Sequence, residues 1–120
     1  MIVVRNEDEI NKLRKAGEIV GLTHKYLEQY LKPGITTKEL DRLAKSFIES
    51  KGCSCSFEGL YGFPGSICIS VNNEVVHGIP SHRRLKDGDI VKLDIGACYQ
   101  GYHGDSAWSY IVGDANPRDV

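Results

Sequence analysis

Ile90-Val91-Lys92-Leu93-Asp94-Ile95-Gly96-Ala97, then Tyr99-Gln100-Gly101, then a second run from Tyr102 to Val112, is the stretch that decides the fold. Apolar residues occupy every second position of the first run, the period of a strand with one buried face. Val91, Leu93, Ile95 and Ala97 share that face, and Asp94 lies on the other with Ile90, Lys92 and Gly96. A turn at Tyr99-Gln100-Gly101 brings the second run back as an antiparallel partner. A tight turn near Gln100 sets Asp105 opposite Asp94 or one diagonal step away, and either register keeps both carboxylates on one face. Trp108 and Tyr110 then join the apolar face of Leu93. Gly104, just before Asp105, allows a close backbone approach or a bulge.

Upstream of this hairpin the period-two pattern continues back to about residue 53. Ile67-Cys68-Ile69-Ser70-Val71 reads as a strand, Asn72-Asn73 as a tight turn and Glu74-Val75-Val76-His77 as a return strand. Gly78-Ile79-Pro80 breaks the pattern, and Lys86-Asp87-Gly88-Asp89 is a turn into the hairpin. Further back the period changes to that of a helix. Asn6 with Glu9 has the form of a capping box, and Ile10, Leu13, Ala16, Gly17, Val20, Leu27 and Leu31 make an apolar stripe that Pro33-Gly34 ends. Thr36 with Glu39 forms a second box. Leu40, Leu43, Ala44, Phe47 and Ile48 follow as the next stripe, and Gly52 stands where a left-handed residue closes a helix. Helices first and strands after predict an α+β domain spanning 1–120, two helices packed on an antiparallel sheet.

Composition narrows the function classes. A chain of 120 residues, 41% hydrophobic and 26% charged, suits one small soluble domain. A net charge of -1 gives no basic field for nucleic acid, and Arg83-Arg84 reads first as a solvated loop, with only a weak hint of ribosome contact. No apolar run approaches the roughly 20 residues of a membrane span. The N-terminus lacks a signal-peptide pattern, so a cytoplasmic location is expected. Cys53, Cys55, Cys68 and Cys98 lack paired C-x-x-C spacing and are expected to be reduced, small apolar side chains.

The chemistry centres on Asp94 and Asp105. Two carboxylates facing one another across strands repel, raising one pKa or weakening the hairpin. A shared divalent cation relieves this, and hard oxygens suit Mg, Mn, Fe, Co or Zn. A solvated pair of aspartates is the competing reading. His103 shares the face of Asp105 and could hold a ligand in place or simply pack against the hairpin. His77 ends a strand. His24 and His82 have no partner visible in the sequence.

At this point three segments resemble the methionine aminopeptidases. Ile67 to Pro80 resembles their substrate-histidine segment, Leu85-Lys86-Asp87-Gly88-Asp89-Ile90-Val91-Lys92-Leu93-Asp94-Ile95-Gly96 the strand with their first metal aspartate, and Gly101-Tyr102-His103-Gly104-Asp105-Ser106-Ala107-Trp108 the strand with their second. Order and gaps fit, the match runs the length of the chain, and the wording is most similar to the bacterial type I enzymes. The resemblance implies the N-terminal half of a pita-bread fold, with Asp94 chelating one metal and Asp105 bridging two among Co, Mn, Fe or Zn. It implies hydrolysis by water made acidic by the cations, His77 acting on the substrate and its tetrahedral intermediate, and Phe63 and Cys68 lining a methionine pocket. Leu60 falls where many members carry an aromatic. The expected reaction is removal of N-terminal methionine from nascent polypeptides.

The resemblance also implies what this chain lacks. Members continue for about as many residues again, and that half supplies a histidine ligand, two glutamate ligands and a second histidine near the substrate. Two aspartates alone hold a cation weakly, so the isolated chain is expected to be inactive or weakly active. A missing C-terminal half, or a second copy in a homodimer, would complete the site. A related half of an enzyme cleaving before proline, and a non-catalytic protein-binding or self-assembling module of the same fold, are the alternatives.

Overall fold

The structure is a computed structural model that describes residues 7–57, 65–72 and 79–113. Its frame is the hairpin. Strands β3, Ile90–Tyr99, and β4, Tyr102–Ile111, pair without interruption from Ile90 opposite Ile111 to Tyr99 opposite Tyr102. Gln100 and Gly101 take φ of 49° and 89°, the paired positive values of the two-residue turn whose twist matches that of the strands it joins. Tyr99 therefore belongs to the strand, and the turn is one residue shorter than the sequence pattern predicts. The pairing carries no bulge, so of the two roles open to Gly104 the close approach is the one realised.

Two shorter strands, β1, Ser54–Cys55, and β2, Cys68–Val71, share the other edge of β3. Strand β1 pairs with its far end, Ser54 opposite Cys98, and β2 with its near end, Cys68 opposite Asp94. Among the described residues β4 has β3 as its one strand neighbour. The entry to β2 is pinned by Asp41, whose Oδ1 accepts the backbone N–H groups of Ser66 and Ile67 at 2.7 and 2.9 Å. Asn72, at the exit of β2, takes φ of 54°; its side chain accepts from Ile90 N and donates to Asp89. The predicted return strand, Glu74 to His77, lies outside the described residues.

Two helices cover one face of the sheet. Helix α1, Glu7–Glu28, buries Ala16, Ile19, Val20, Thr23, His24 and Leu27, whereas Ile10 is exposed. It ends before the expected Pro33-Gly34 stop, although Leu31 is still buried in the connection. Helix α2, Thr37–Ser50, begins with the predicted capping box: Thr36 Oγ1 accepts from Glu39 N at 3.1 Å and Glu39 Oε1 accepts from Thr36 N at 3.3 Å. Its remaining free donors go to a neighbouring loop, Thr37 N to Arg83 O and Lys38 N to Ser81 O. Gly52, φ 79°, closes the helix as expected. Between helices and sheet lies one core, with Val91, Leu93, Ile95 and Ala97 of β3 fully buried against Ile19, Leu27, Leu40 and Ile48. An α+β layer arrangement follows, and the sheet face carrying Asp94 points away from the helices.

Candidate metal centre

The register fixes the relation of the two aspartates. Asp94 faces Ala107 and Asp105 faces Gly96, so the carboxylates are diagonal neighbours on one face. Diagonal positions lie about 7–8 Å apart, a gap that two carboxylate arms and metal–oxygen bonds of about 2 Å can close around a cation. Asp94 is half-buried and Asp105 exposed. Burial first, and then the Asp105 charge, push the Asp94 carboxyl above the usual carboxylate range, with Lys92 and His24 opposing. A desolvated anion with a second anion beside it fits a divalent cation, which would remove both penalties. Among the described residues no group of three or more His, Cys, Asp or Glu side chains could hold a metal ion.

Cys68 stands directly opposite Asp94 on β2 and shares its face. Burial, and then the charges of Asp94 and Asp41, push its thiol up, so it is present as a neutral thiol. A neutral, half-buried sulfur beside the carboxylate suits a wall against a soft apolar group better than a metal ligand. His77 and Phe63, the other residues expected to meet substrate, lie outside the described residues, as does Leu60. Cys53 and Cys55 are buried core side chains, and none of the four cysteines, all among the described residues, is in a disulfide.

Two residues beside the site were not singled out by the sequence pattern. Ser56 crosses the aspartate face next to Gly96: a Cβ on Gly96 would come within 2.9 Å of Ser56 Cβ. Its backbone N–H donates to Gly96 O, and its hydroxyl lies 2.9 Å from His103 Nδ1. His103 is thereby held on the face of Asp105, through a serine 47 residues away that no local pattern connects to it. His24 is the other. It is fully buried on α1, 3.1 Å from both Ser106 O and the Tyr110 hydroxyl. A signal for it was present: His24 lies between Val20 and Leu27 on the apolar stripe, and a polar side chain at such a position needs partners. Trp108 lies opposite Leu93 as expected, yet it is 48% exposed and stacks on His24 at 5.1 Å instead of entering the core.

Residues 11–120 match Metallopeptidase family M24. The chain is 56% identical over 119 residues to methionine aminopeptidase 1 of Bacillus subtilis strain 168, covering 99% of this chain and 48% of that protein. It is 54% identical to the methionine aminopeptidase of Clostridium perfringens, covering 95% of this chain and 46% of that one. The crystal structure of methionine aminopeptidase from Rickettsia prowazekii superposes with a TM-score of 0.89 at 38% identity, over 95% of this chain and 46% of that chain. The chain spans about half the length of the curated relatives it matches.

Proposed function

Because the chain belongs to metallopeptidase family M24, we propose that it is the N-terminal half of a methionine aminopeptidase catalytic domain, contributing two ligands of a divalent-metal site that removes N-terminal methionine from nascent polypeptides in the cytoplasm. The observation that carries this reading is the placement of Asp94 and Asp105 on one sheet face, one diagonal step apart. Asp94 and Asp105 would hold divalent cations drawn from Co, Mn, Fe or Zn. Such cations, when bound, polarise the scissile carbonyl and lower the pKa of water. The protein supplies the rest. Cys68, a neutral thiol beside Asp94, lines the pocket for the methionine thioether together with Phe63. His77 contacts the substrate and stabilises or protonates its tetrahedral intermediate.

Two carboxylates leave most coordination positions to solvent, so the chain by itself holds metal weakly and turns over slowly. The remaining ligands come from the further half that the longer relatives possess, or from a second copy of this chain. Turnover of a Met-Ala-Ser peptide with added Mn or Co tests the reading. The chain joined to, or mixed with, the second half of a relative is expected to be active, and Asp94→Asn or Asp105→Asn to abolish that activity. Rapid turnover by the pure chain would overturn the expectation of weak activity. Preference for Xaa-Pro over Met-Ala peptides would transfer the assignment to a proline-directed relative.

A further inference from the structure

Asp105 is the more exposed of the two carboxylates, on a strand that has one strand neighbour among the described residues. What fixes it is therefore not obvious from the sheet. The residues on either side of it are both held by α1. At Gly104 the helix backbone closes in: a Cβ there would lie 2.8 Å from Gly17 N and 3.0 Å from Ala16 C. At Ser106 the carbonyl lies 3.1 Å from His24 Nε2.

A carbonyl only accepts, so Nε2 carries the proton and donates to Ser106. In the neutral ring Nδ1 is then the acceptor, and the Tyr110 hydroxyl donates to it at 3.1 Å. Both ring nitrogens are satisfied in one tautomer, and Trp108 stacks on the ring plane. Tyr110 sits on the same strand as Ser106, so the imidazole ties two points of β4 to one point of α1. Resting on the metal-site reading above, we infer that His24 is a positioning residue for the metal site, fixing the strand segment that presents Asp105 through its bond to the Ser106 carbonyl.

The test compares two amides at one position. In His24→Gln the side-chain nitrogen reaches where Nε2 stood and can still donate to Ser106. In His24→Asn it is too short to do so and can meet only Tyr110. Binding of Mn(II) to the 120-residue chain, followed by water-proton relaxation at a temperature where all variants are folded by circular dichroism, reads the effect. His24→Asn is expected to weaken Mn(II) binding about threefold to tenfold, at or below the low end of the roughly 10–100-fold range for groups that orient metal ligands directly. His24→Gln is expected to stay within about twofold of the parent. Equal affinities for the two variants, or a loss in His24→Gln as large as in His24→Asn, would overturn the inference while leaving the metal site intact. Asp105→Asn separates the two questions: if it leaves Mn(II) binding unchanged, or the parent binds none, the metal-site reading fails and this inference falls with it.

Discussion

Gly104 and Gly17 face each other across the contact between β4 and α1, yet substituting them should move stability in opposite directions. In Gly104→Ala the new Cβ would stand 2.8 Å from Gly17 N, 3.0 Å from Ala16 C and 3.1 Å from Gly17 Cα. Comfortable contact begins near 3.5 Å, so strand and helix have to part by roughly 0.5 Å. All three atoms are helix backbone, held by the hydrogen-bond ladder, and none can swing aside as a side chain would. Overpacking of this kind costs about 1–3 kcal/mol. At about 4 °C per kcal/mol for a domain of this size, Tm falls by roughly 4–12 °C. Gly17→Ala points its Cβ into open space, with nothing within 4 Å. It replaces a helix-interior glycine and should gain about 0.5–1 kcal/mol. Thermal and urea melts followed at 222 nm measure both. A Gly104→Ala melt within about 1 °C of the parent, or a Gly17→Ala loss matching that of Gly104→Ala, would refute the close-approach argument.

Three further outcomes follow from the same contacts. Burial keeps the His24 pKa below the ordinary imidazole value, with the Ser106 bond and the Asp94 charge opposing. The unfolded chain therefore binds the proton first, so stability is level above about pH 6.5 and falls as pH drops below it, by at most about 1.4 kcal/mol per pH unit. Urea midpoints between pH 7.5 and 5 should show that slope in the parent and lack it in His24→Gln. Asp94 has the opposite sign: its raised pKa makes the folded state take up the proton first, so its contribution improves as pH falls from the raised value to the ordinary carboxylate range. Asp94→Asn should accordingly stabilise the metal-free chain by about 1 kcal/mol or less after solvent screening, while calorimetry shows Mn(II) binding lost. Thr36→Ala removes the acceptor for Glu39 N at the start of α2 and should cost about 1 kcal/mol, read as a lower thermal midpoint with the cap lost.

The parts of the fold legible in the sequence are those set by local rules. Alternation along Ile90 to Ala97 gave the buried face of β3, and Gln100-Gly101 had the residues a tight turn needs, so the shared face of Asp94 and Asp105 followed from counting. Thr36 with Glu39 gave the start of α2 for the same reason. What was not legible depends on residues far apart in the chain. Ser56 meets His103 across 47 positions and His24 meets Ser106 across 82, and no periodicity relates them. Trp108 shows the limit of strand alternation. Its position faces the helices, but His24 occupies the space against the helix and leaves the indole as a partly exposed cover. The end of α1 at Glu28 shows another: the apolar period persists to Leu31, because a buried residue in a connecting turn keeps the spacing after the helical backbone has stopped.

The contact between α1 and β4 also dictates when this chain can fold as it is made. The helix is synthesised well before its partner strand; His24 and Tyr110 are 86 residues apart. At about 5–20 residues per second, that separation is roughly 4–17 s of translation. Until β3 emerges late in that interval, Ile19, Val20 and Leu27 have no sheet to bury them, and an amphipathic segment awaiting its partner is what chaperones bind. Core closure is thus a late, single event of long loop length, slow on topological grounds. A circular permutant that starts at Lys86 and joins β4 to α1 through a linker long enough to run back along the helix, from the Tyr110 end to the Glu9 end, would bring the two together early and should refold faster than the natural order.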